Sequence, residues 1–232
     1  MARGPLAAGG ALYDADLVAE ALGRAGADIG EARRGLDFGC SSGRLVRALD
    51  AAWPQTEWHG CDPNADAIAW AREHLPEIDF QVSPQDPPLP FADASFDFVV
   101  AISIWSHYAE GAAVRWLDEM HRIIEPGGRL VFSTPGPHSV SYYAQTGDRN
   151  PGQLAGIRRE LYRHGYWFAP EFGEEGDWGV KHTEWGTAFF TAEWLARAAL
   201  PHWEIEHFAV GQNAFNQDMY VLRRTEKRRS TR

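Results

Sequence analysis

Strand patterns alternate with helix patterns over the first 133 residues, and this alternation restricts the fold more than any other feature. Short apolar segments predict strands at residues 35–38, 57–61, 78–82, 96–104 and 129–133. Helical patterns lie between most of them, at residues 43–49, 65–75 and 111–124. Segment 96–104 is apolar apart from Asp97 and Ser103, which is typical of a strand covered on both faces. The alternation therefore indicates an α/β fold, with a parallel sheet and helices on both of its faces.

The C-terminal part departs from this pattern. Thr191 is predicted to cap a helix that ends before Pro201. Residues 203–210 and 219–222 read as two strands, and the segment between them is too short for a crossover helix. We therefore expect these two strands to pair antiparallel near one edge of the sheet.

Between the fifth predicted strand and the last helix, residues 135–187 form a long segment with little clear periodicity. Segments of this length are more often functional than simple connections. We expect an insertion that covers the substrate; the alternative is a small helical insertion whose aromatic rings only pack on the sheet. The segment carries nine aromatic residues: Tyr142, Tyr143, Tyr162, Tyr166, Trp167, Phe168, Phe172, Trp178 and Trp185.

A loop with two glycines, Gly39 and Gly43, follows the first predicted strand. Ligands of open α/β sheets bind at the carboxyl ends of the strands, where this loop lies. The dinucleotide-binding pattern Gly-x-Gly-x-x-Gly would need a glycine where this chain has Ser41, which disfavours an NAD-dependent oxidoreductase. The chain lacks a Gly-Lys-Ser/Thr sequence, which excludes a P-loop nucleotide triphosphatase.

Two acidic residues stand out near this loop. Asp62 ends the second predicted strand, at a position where a carboxylate can accept hydrogen bonds from both ribose hydroxyls. The sequence Asp62-Pro63-Asn64 is also typical of a turn, so the alternative is that Asp62 only stabilises this turn. Asp37 lies within a buried strand and needs partners. It could orient the glycine loop or hydrogen-bond an ammonium group.

Four motifs, in the right order and spacing, resemble class I S-adenosylmethionine-dependent methyltransferases. Residues 36–49 resemble motif I of that family, and Asp62 resembles its ribose-binding acid. Residues 89–100 resemble the segment that leads into the family's fourth strand, and residues 124–130 resemble the Pro-Gly-Gly run before its fifth strand. The resemblance covers about residues 30–135. It implies a Rossmann-like, doubly wound, seven-stranded sheet in the order 3-2-1-4-5-7-6, with strand 7 antiparallel.

The resemblance also implies S-adenosylmethionine as the cofactor and S-adenosylhomocysteine as the product. Asp62 would hold the ribose and Pro63 would lie beside the adenine. Ser41 replaces a usual glycine and fits if its φ angle is negative. The remaining cofactor residues fall into three groups: Asp37, Gly39, Cys40, Ser41 and Gly43 around the methionine part, Ala101 and Ile102 as backbone contacts with His107 nearby, and Tyr13 closing over the carboxylate from an N-terminal helix.

The sequence departs from the family after the third predicted strand. The family often has Gly-Asp-Ala there, with the acid near the adenine amino group. This chain has Ser83-Pro84-Gln85-Asp86. Gln85 aligns with the acid and Asp86 comes one residue late. Either side chain could accept the adenine hydrogen bond, and Asp86 is the preferred one.

The expected activity is methyl transfer to a small-molecule acceptor, most simply a hydroxyl of a sugar or natural product. Residues 185–189 and 216–224 are similar to methyltransferases of glycan or secondary-metabolite pathways. A hydroxyl acceptor benefits from a general base, and His182, His138 and His107 are the candidates, the first two preferred. Each could instead be an ordinary loop histidine. Transfer to nitrogen or carbon, or a non-catalytic nucleoside-binding protein, are the alternatives.

Charge and composition exclude other classes of partner. Outside the last ten residues, 16 basic residues face 31 acidic ones, and a body this acidic disfavours nucleic acid. The basic tail, residues 225–232, is expected to be frayed. The longest apolar stretch has eight residues, too short to span a membrane. We find no signal peptide, and two cysteines cannot build a disulfide framework, so we expect a cytoplasmic protein. No carboxylate spacing indicates a metal site, and the oligomeric state is left open.

Overall fold

The computed structural model describes residues 5–172, 176–177 and 179–226, with side chains from residue 9 onwards. In chain order the helices and strands are α1 (Pro5–Arg24), β1 (Arg34–Phe38), α2 (Val46–Ala52), β2 (Glu57–Asp62), α3 (Ala65–His74), β3 (Asp79–Val82), β4 (Phe96–Ala101), α4 (Glu110–Ile123), β5 (Ile124–Thr134), α5 (Pro137–Thr146), α6 (Pro151–His164), β6 (Tyr166–Ala169), β7 (Thr187–Phe190), α7 (Ala192–Ala199), β8 (Trp203–Asn213) and β9 (Gln217–Arg224). A short 3₁₀ turn spans Ile29–Glu31.

Seven of the strands form one sheet in the order β3-β2-β1-β4-β5-β9-β8. The first five are parallel to one another, and β9 runs antiparallel to both β5 and β8. Because β8 and β9 are the sixth and seventh strands of this sheet, the predicted order 3-2-1-4-5-7-6 with an antiparallel strand 7 is confirmed. The carboxyl ends of β1 to β4 therefore meet along one edge.

Helices cover both faces of this sheet and bury it. On one face, large aromatic side chains such as Trp105, Trp116 and Phe132 fill the layer between the sheet and helices α4 and α7. On the other face, Val18, Val46 and similar aliphatic residues fill the layer between the sheet and helices α1, α2 and α3. Strand β4 is buried on both faces apart from the half-buried Asp97, as its largely apolar sequence predicts. None of the described helices combines the length and the apolar composition needed to cross a membrane.

Several element boundaries differ from the prediction, among them the starts of α2 and β5 and the end of β4. Helix α2 begins at Val46 rather than residue 43, because residues 41–45 form turns with positive φ at Ser41 and Gly43. Strand β4 ends at Ala101 rather than residue 104, since Ser103 adopts a φ of 61° that breaks the extended chain. Strand β5 starts at Ile124 and includes the Pro-Gly-Gly run, directly after α4.

The long segment after β5 is more regular than its sequence suggested. It contains α5, α6 and a two-stranded antiparallel sheet of β6 and β7. Local signals for α6 were present: Asn150 caps its start, Pro151 occupies its first position and Gly165 ends it in the left-handed conformation. Of its aromatic residues, Tyr166 is buried and Tyr162 is 92% exposed.

Two predictions concern residues outside the described ranges. They involve Trp178 of the aromatic segment and residues 227–232 of the basic tail. Of the tail, only Thr225 and Glu226 are described, and the Thr225 N–H donates to the His202 carbonyl at 2.9 Å. The tail and the remaining aromatic position stay predictions.

Candidate active site

A cavity of about 260 Å³ lies at the carboxyl ends of β1 to β4. Ligands of open α/β sheets bind at this position. Seven of the predicted cofactor residues line it: Gly39, Ser41, Asp62, Pro63, Gln85, Ile102 and His107. The insertion contributes Val180 and Trp185 to the wall.

The glycine loop is held in shape from two directions. Gly39 has a φ of 81°, and a Cβ atom there would lie 2.2 Å from the Ile104 side chain, so this position requires glycine. Ser41 has a φ of 50°, so the expected negative angle is wrong. Its backbone N–H donates to Asp62 Oδ2 at 2.8 Å. That charge-assisted bond stabilises a conformation that serine otherwise disfavours.

Asp62 links the loop to the end of β2. Its Oδ2 accepts the Ser41 N–H and its Oδ1 accepts the Asn64 N–H, both at 2.8 Å. Burial raises the pKa of this carboxyl, and the two N–H bonds oppose that rise. A carboxylate has about four acceptor positions. Asp62 therefore faces the cavity with capacity left for two hydroxyl donors.

Asp37 is buried in β1, and the two residues after it line the cavity. Burial raises the pKa of Asp37 to about 7, while the Arg44 charge and the Val46 N–H act against this. Its Oδ2 atom has no hydrogen-bond partner among the described residues. Arg44 in turn pairs with Asp14 of α1 at 2.5 Å. A buried carboxylate oxygen without a partner suits a cationic ligand group.

The structure separates the three candidate histidines, and His107 is the one that lines the cavity. Its Nδ1 lies 2.8 Å from the Gly186 carbonyl oxygen, which can only accept, so Nδ1 carries the proton and Nε2 has the free lone pair. Burial lowers the pKa of His107, which keeps the ring neutral near pH 7. Its ring stacks on Trp185 at 4.6 Å.

His182 is occupied by other contacts. Its Nδ1 accepts the Glu184 N–H at 3.2 Å, so its Nε2 carries the proton and donates to Asp86 at 3.0 Å. In this arrangement neither nitrogen can serve as a base. His138 lies outside the cavity lining, and its Nε2 donates to the Phe215 carbonyl in the β8–β9 turn at 3.1 Å.

The two candidates for the adenine amino group are also engaged elsewhere. Gln85 Oε1 accepts the Lys181 N–H at 3.1 Å. Asp86 is absent from the cavity wall and pairs with His182 and Arg115. Oxygen and nitrogen atoms of Asp86, His182 and Glu184 lie within 4.8 Å of one another. The Arg115 guanidinium donates to both of these carboxylates and already supplies the positive charge between them.

The other predicted residues surround the cavity without lining it. The Tyr13 hydroxyl accepts the Ala214 N–H at 2.7 Å, which fastens α1 to the β8–β9 turn. Burial raises the pKa of the Cys40 thiol, so it is unreactive. Gly43 is needed for packing, because a Cβ there would meet Leu75 at 2.8 Å. Ala101 is fully buried in β4.

Several wall residues were not among the predicted site residues, chiefly Ser83, Tyr108 and Trp116, whereas Trp185 was expected only as part of the covering insertion. Trp116 could have been found, because it lies one residue before Leu117 on the buried face of α4. Ser83 begins the segment Ser83-Pro84-Gln85-Asp86, in which the family pattern predicts a role only for an acidic residue. Tyr108 and Trp185 pair through an isolated β-bridge between distant segments, and no local pattern predicts such a contact.

Comparisons with known proteins identify the domain. A family model described as a methyltransferase domain matches residues 36–128. Demethylmenaquinone methyltransferase of Beutenbergia cavernae is 38% identical over 128 residues, 52% of this chain and 50% of that protein. Trans-aconitate 2-methyltransferase of Afipia carboxidovorans is 37% identical over 76 residues, 30% of each chain. The chain thus spans half or less of the length of these curated relatives.

Solved structures show the same fold. A SAM-dependent methyltransferase from Methanosarcina mazei has a TM-score of 0.60 and 20% identity, and the match covers 85% of this chain and 94% of that chain. Residues 36–128 match a methyltransferase domain, and the fold around them is that of the solved methyltransferase. The predicted methyltransferase domain is thereby confirmed for residues 36–128, and S-adenosylmethionine is the cofactor expected for it.

The chemistry of the site fits this cofactor. The unpartnered Asp37 oxygen suits the ammonium of its methionine part. The spare acceptor capacity of Asp62 suits the two ribose hydroxyls. The cavity is close to the lower end of the volumes typical of small-molecule sites, which start at about 300 Å³.

Proposed function

We propose that the protein transfers a methyl group from S-adenosylmethionine to a hydroxyl of a small molecule, with His107 as general base. The observation that carries this proposal is the state of His107: it lines the cavity, is held neutral by burial, and has its proton fixed on Nδ1 by the Gly186 carbonyl. Such a ring is ready to accept a proton on Nε2.

The residues around the cavity have separable tasks. When bound, S-adenosylmethionine supplies a methyl group that is already strongly electrophilic. Asp62 and Asp37 fix the cofactor by its ribose and its ammonium. His107 Nε2 would accept the proton of the acceptor hydroxyl as that oxygen takes up the methyl group. The buried walls exclude water, which would otherwise compete with the acceptor.

Aromatic contacts made by the insertion, residues 135–187, support its proposed role in covering the substrate. Trp185 stacks on His107, and Phe172 lies 5.8 Å from the same ring, measured between centroids. Flat aromatic surfaces beside a base suit a ring-shaped acceptor, such as a phenol, a quinol or a sugar face. The curated relatives described above are named for demethylmenaquinone and for trans-aconitate, so their names support a small-molecule acceptor without choosing its class.

The proposal is tested by incubating the protein with S-adenosylmethionine and a panel of phenols, quinols, sugars, amines and carboxylic acids, followed by mass spectrometry. We expect a methylated hydroxyl compound. His107→Gln should lower kcat by about 10²–10⁴-fold, the usual contribution of a general base. His138→Gln and His182→Gln are the matched controls and should retain most of the activity.

The pH profile separates base catalysis from a structural role of His107. Since only the neutral ring accepts a proton, wild-type kcat/KM should fall at low pH, with a midpoint below about 6.5 because burial lowers the pKa. His107→Gln should lose this fall. Preferred methylation of an amine, with kcat unaffected by His107→Gln, would replace the proposal by nitrogen methylation. Binding of S-adenosylhomocysteine without turnover of any compound would favour a non-catalytic protein.

A further inference from the structure

Two polar groups in the cavity wall have no partner. Trp116 is 1% exposed and Ser83 is 6% exposed, and both line the cavity. Neither the Trp116 Nε1 atom nor the Ser83 Oγ atom has a hydrogen-bond partner among the described residues. Leaving such a group buried and unpaired costs about 1–3 kcal/mol, so native proteins rarely keep one without a reason. Both groups therefore point to a polar ligand atom.

Their position indicates which part of the ligand they contact. Ser83 follows β3, whose last residue pairs with Asp62, and its N–H donates to the Asp62 carbonyl at 3.0 Å. A nucleoside held by its ribose on Asp62 thus has its base within reach of Ser83. Trp116 lies in the same wall, with its ring 4.8 Å from that of Phe38 at the end of β1.

The acid expected to accept from the adenine amino group is missing from the cavity wall of this chain. The Gln85 oxygen already accepts the Lys181 N–H, and Asp86 pairs with His182 and Arg115 outside the cavity wall. No carboxylate of the described residues besides Asp62 lines the cavity to accept from the exocyclic amino group. The indole N–H of Trp116 can only donate, so it needs an acceptor on the ligand.

We propose that Trp116 donates to a ring nitrogen of the adenine, with the Ser83 hydroxyl as a second contact to the base. In this chain the purine is then recognised through its ring nitrogens rather than by an acid that binds its amino group. The inference concerns cofactor selectivity and rests on S-adenosylmethionine as the cofactor.

The test is titration calorimetry of the full chain with S-adenosylhomocysteine, its 1-deaza, 3-deaza and 7-deaza analogues, and its 6-deamino analogue. One deaza analogue should bind about 5- to 150-fold more weakly than the parent, the effect of unpairing one buried donor. The 6-deamino analogue should bind within about 3-fold of the parent, well under the factor expected for a lost buried hydrogen bond.

Trp116→Phe should weaken binding of the parent compound by a similar factor and should no longer distinguish the sensitive deaza analogue from the parent. Trp105→Phe is the matched control. Trp105 is fully buried nearby, but its N–H already donates to the Ala113 carbonyl at 3.3 Å and it is absent from the cavity wall. This variant should keep wild-type affinity and the wild-type analogue profile.

Circular dichroism and thermal melting establish that each variant folds, and Ser83→Ala takes the place of Trp116→Phe if the latter does not. Equal binding of all three deaza analogues to the wild type would overturn the proposal. So would a large loss for the 6-deamino analogue, which would restore recognition of the amino group. If the wild type binds no S-adenosylhomocysteine at all, the cofactor assignment fails first, and the two failures are thereby distinguished.

Discussion

Replacing Asp37 by Asn should make the stability of the protein much less dependent on pH. In the folded chain the pKa of Asp37 is raised from 3.8 to about 7, chiefly by burial. A raised acid pKa means that the folded state resists ionisation. The resulting destabilisation is absent below about pH 4, grows as the pH rises, and is complete above pH 7.

The magnitude follows from the two pKa values. One pKa unit corresponds to about 1.4 kcal/mol, so the ionised carboxylate destabilises the folded state by about 4 kcal/mol above pH 7. Of this, about 2–3 kcal/mol develops between pH 5 and pH 8. Asp37→Asn keeps an oxygen for the Val46 N–H and removes the ionisation. The variant should therefore gain about 2–3 kcal/mol on the wild type over this range.

The assay is urea denaturation of both proteins at pH 5, 6, 7 and 8, without ligand. The other titrating groups contribute almost equally to the free energy of unfolding of both proteins, so their contributions largely cancel in the difference. A difference that stays constant from pH 5 to pH 8 would refute the assignment of a raised pKa to Asp37. Saturating S-adenosylhomocysteine gives an independent check, because its ammonium should stabilise the ionised wild type at pH 8 more than the variant.

Two further variants test the glycine loop and its acid. Asp62→Ala should weaken S-adenosylhomocysteine binding by at least about 1–3 kcal/mol in calorimetry, since it removes ribose acceptors and the partner of Ser41; an unchanged Kd would contradict the role given to Asp62. Gly39→Ala should lower the free energy of unfolding by about 2–5 kcal/mol through backbone strain and contact with Ile104. Gly127→Ala is the control, because Gly127 has a φ of 86° and no atom lies near the added Cβ, so only backbone strain should lower its free energy of unfolding. Equal losses of unfolding free energy in the two variants would show that contact with Ile104 contributes nothing at Gly39.

The main sheet could be predicted from the sequence because its signals are local. Apolar strand segments, the glycines of the first loop and the Pro-Gly-Gly run each act within a few residues, and their order along the chain determines the topology. Asp62 could be predicted for the same reason, since its role depends on its place at the end of a strand. The family resemblance then supplied the cofactor.

The engagement of the histidines could not be predicted, because it depends on contacts between distant segments. His182 seemed free in the sequence, yet it is paired with Asp86, and the neighbouring contact between Lys181 and Gln85 likewise joins residues that are 96 positions apart in the chain. Selecting His107 required knowing that Gly186 lies against it, a separation of 79 residues. The positive φ of Ser41 likewise depends on Asp62, 21 residues away.

The bond between His107 Nδ1 and the Gly186 carbonyl has a consequence for the timing of catalysis. Gly186 belongs to the segment that also places Trp185 against the cavity. An imidazole released from that carbonyl would exchange its proton between the two nitrogens, and part of the population would have no lone pair on Nε2. Under the proposed mechanism, the covering segment would therefore raise the share of His107 rings that can take a proton in the same molecules in which the acceptor is shielded from bulk water.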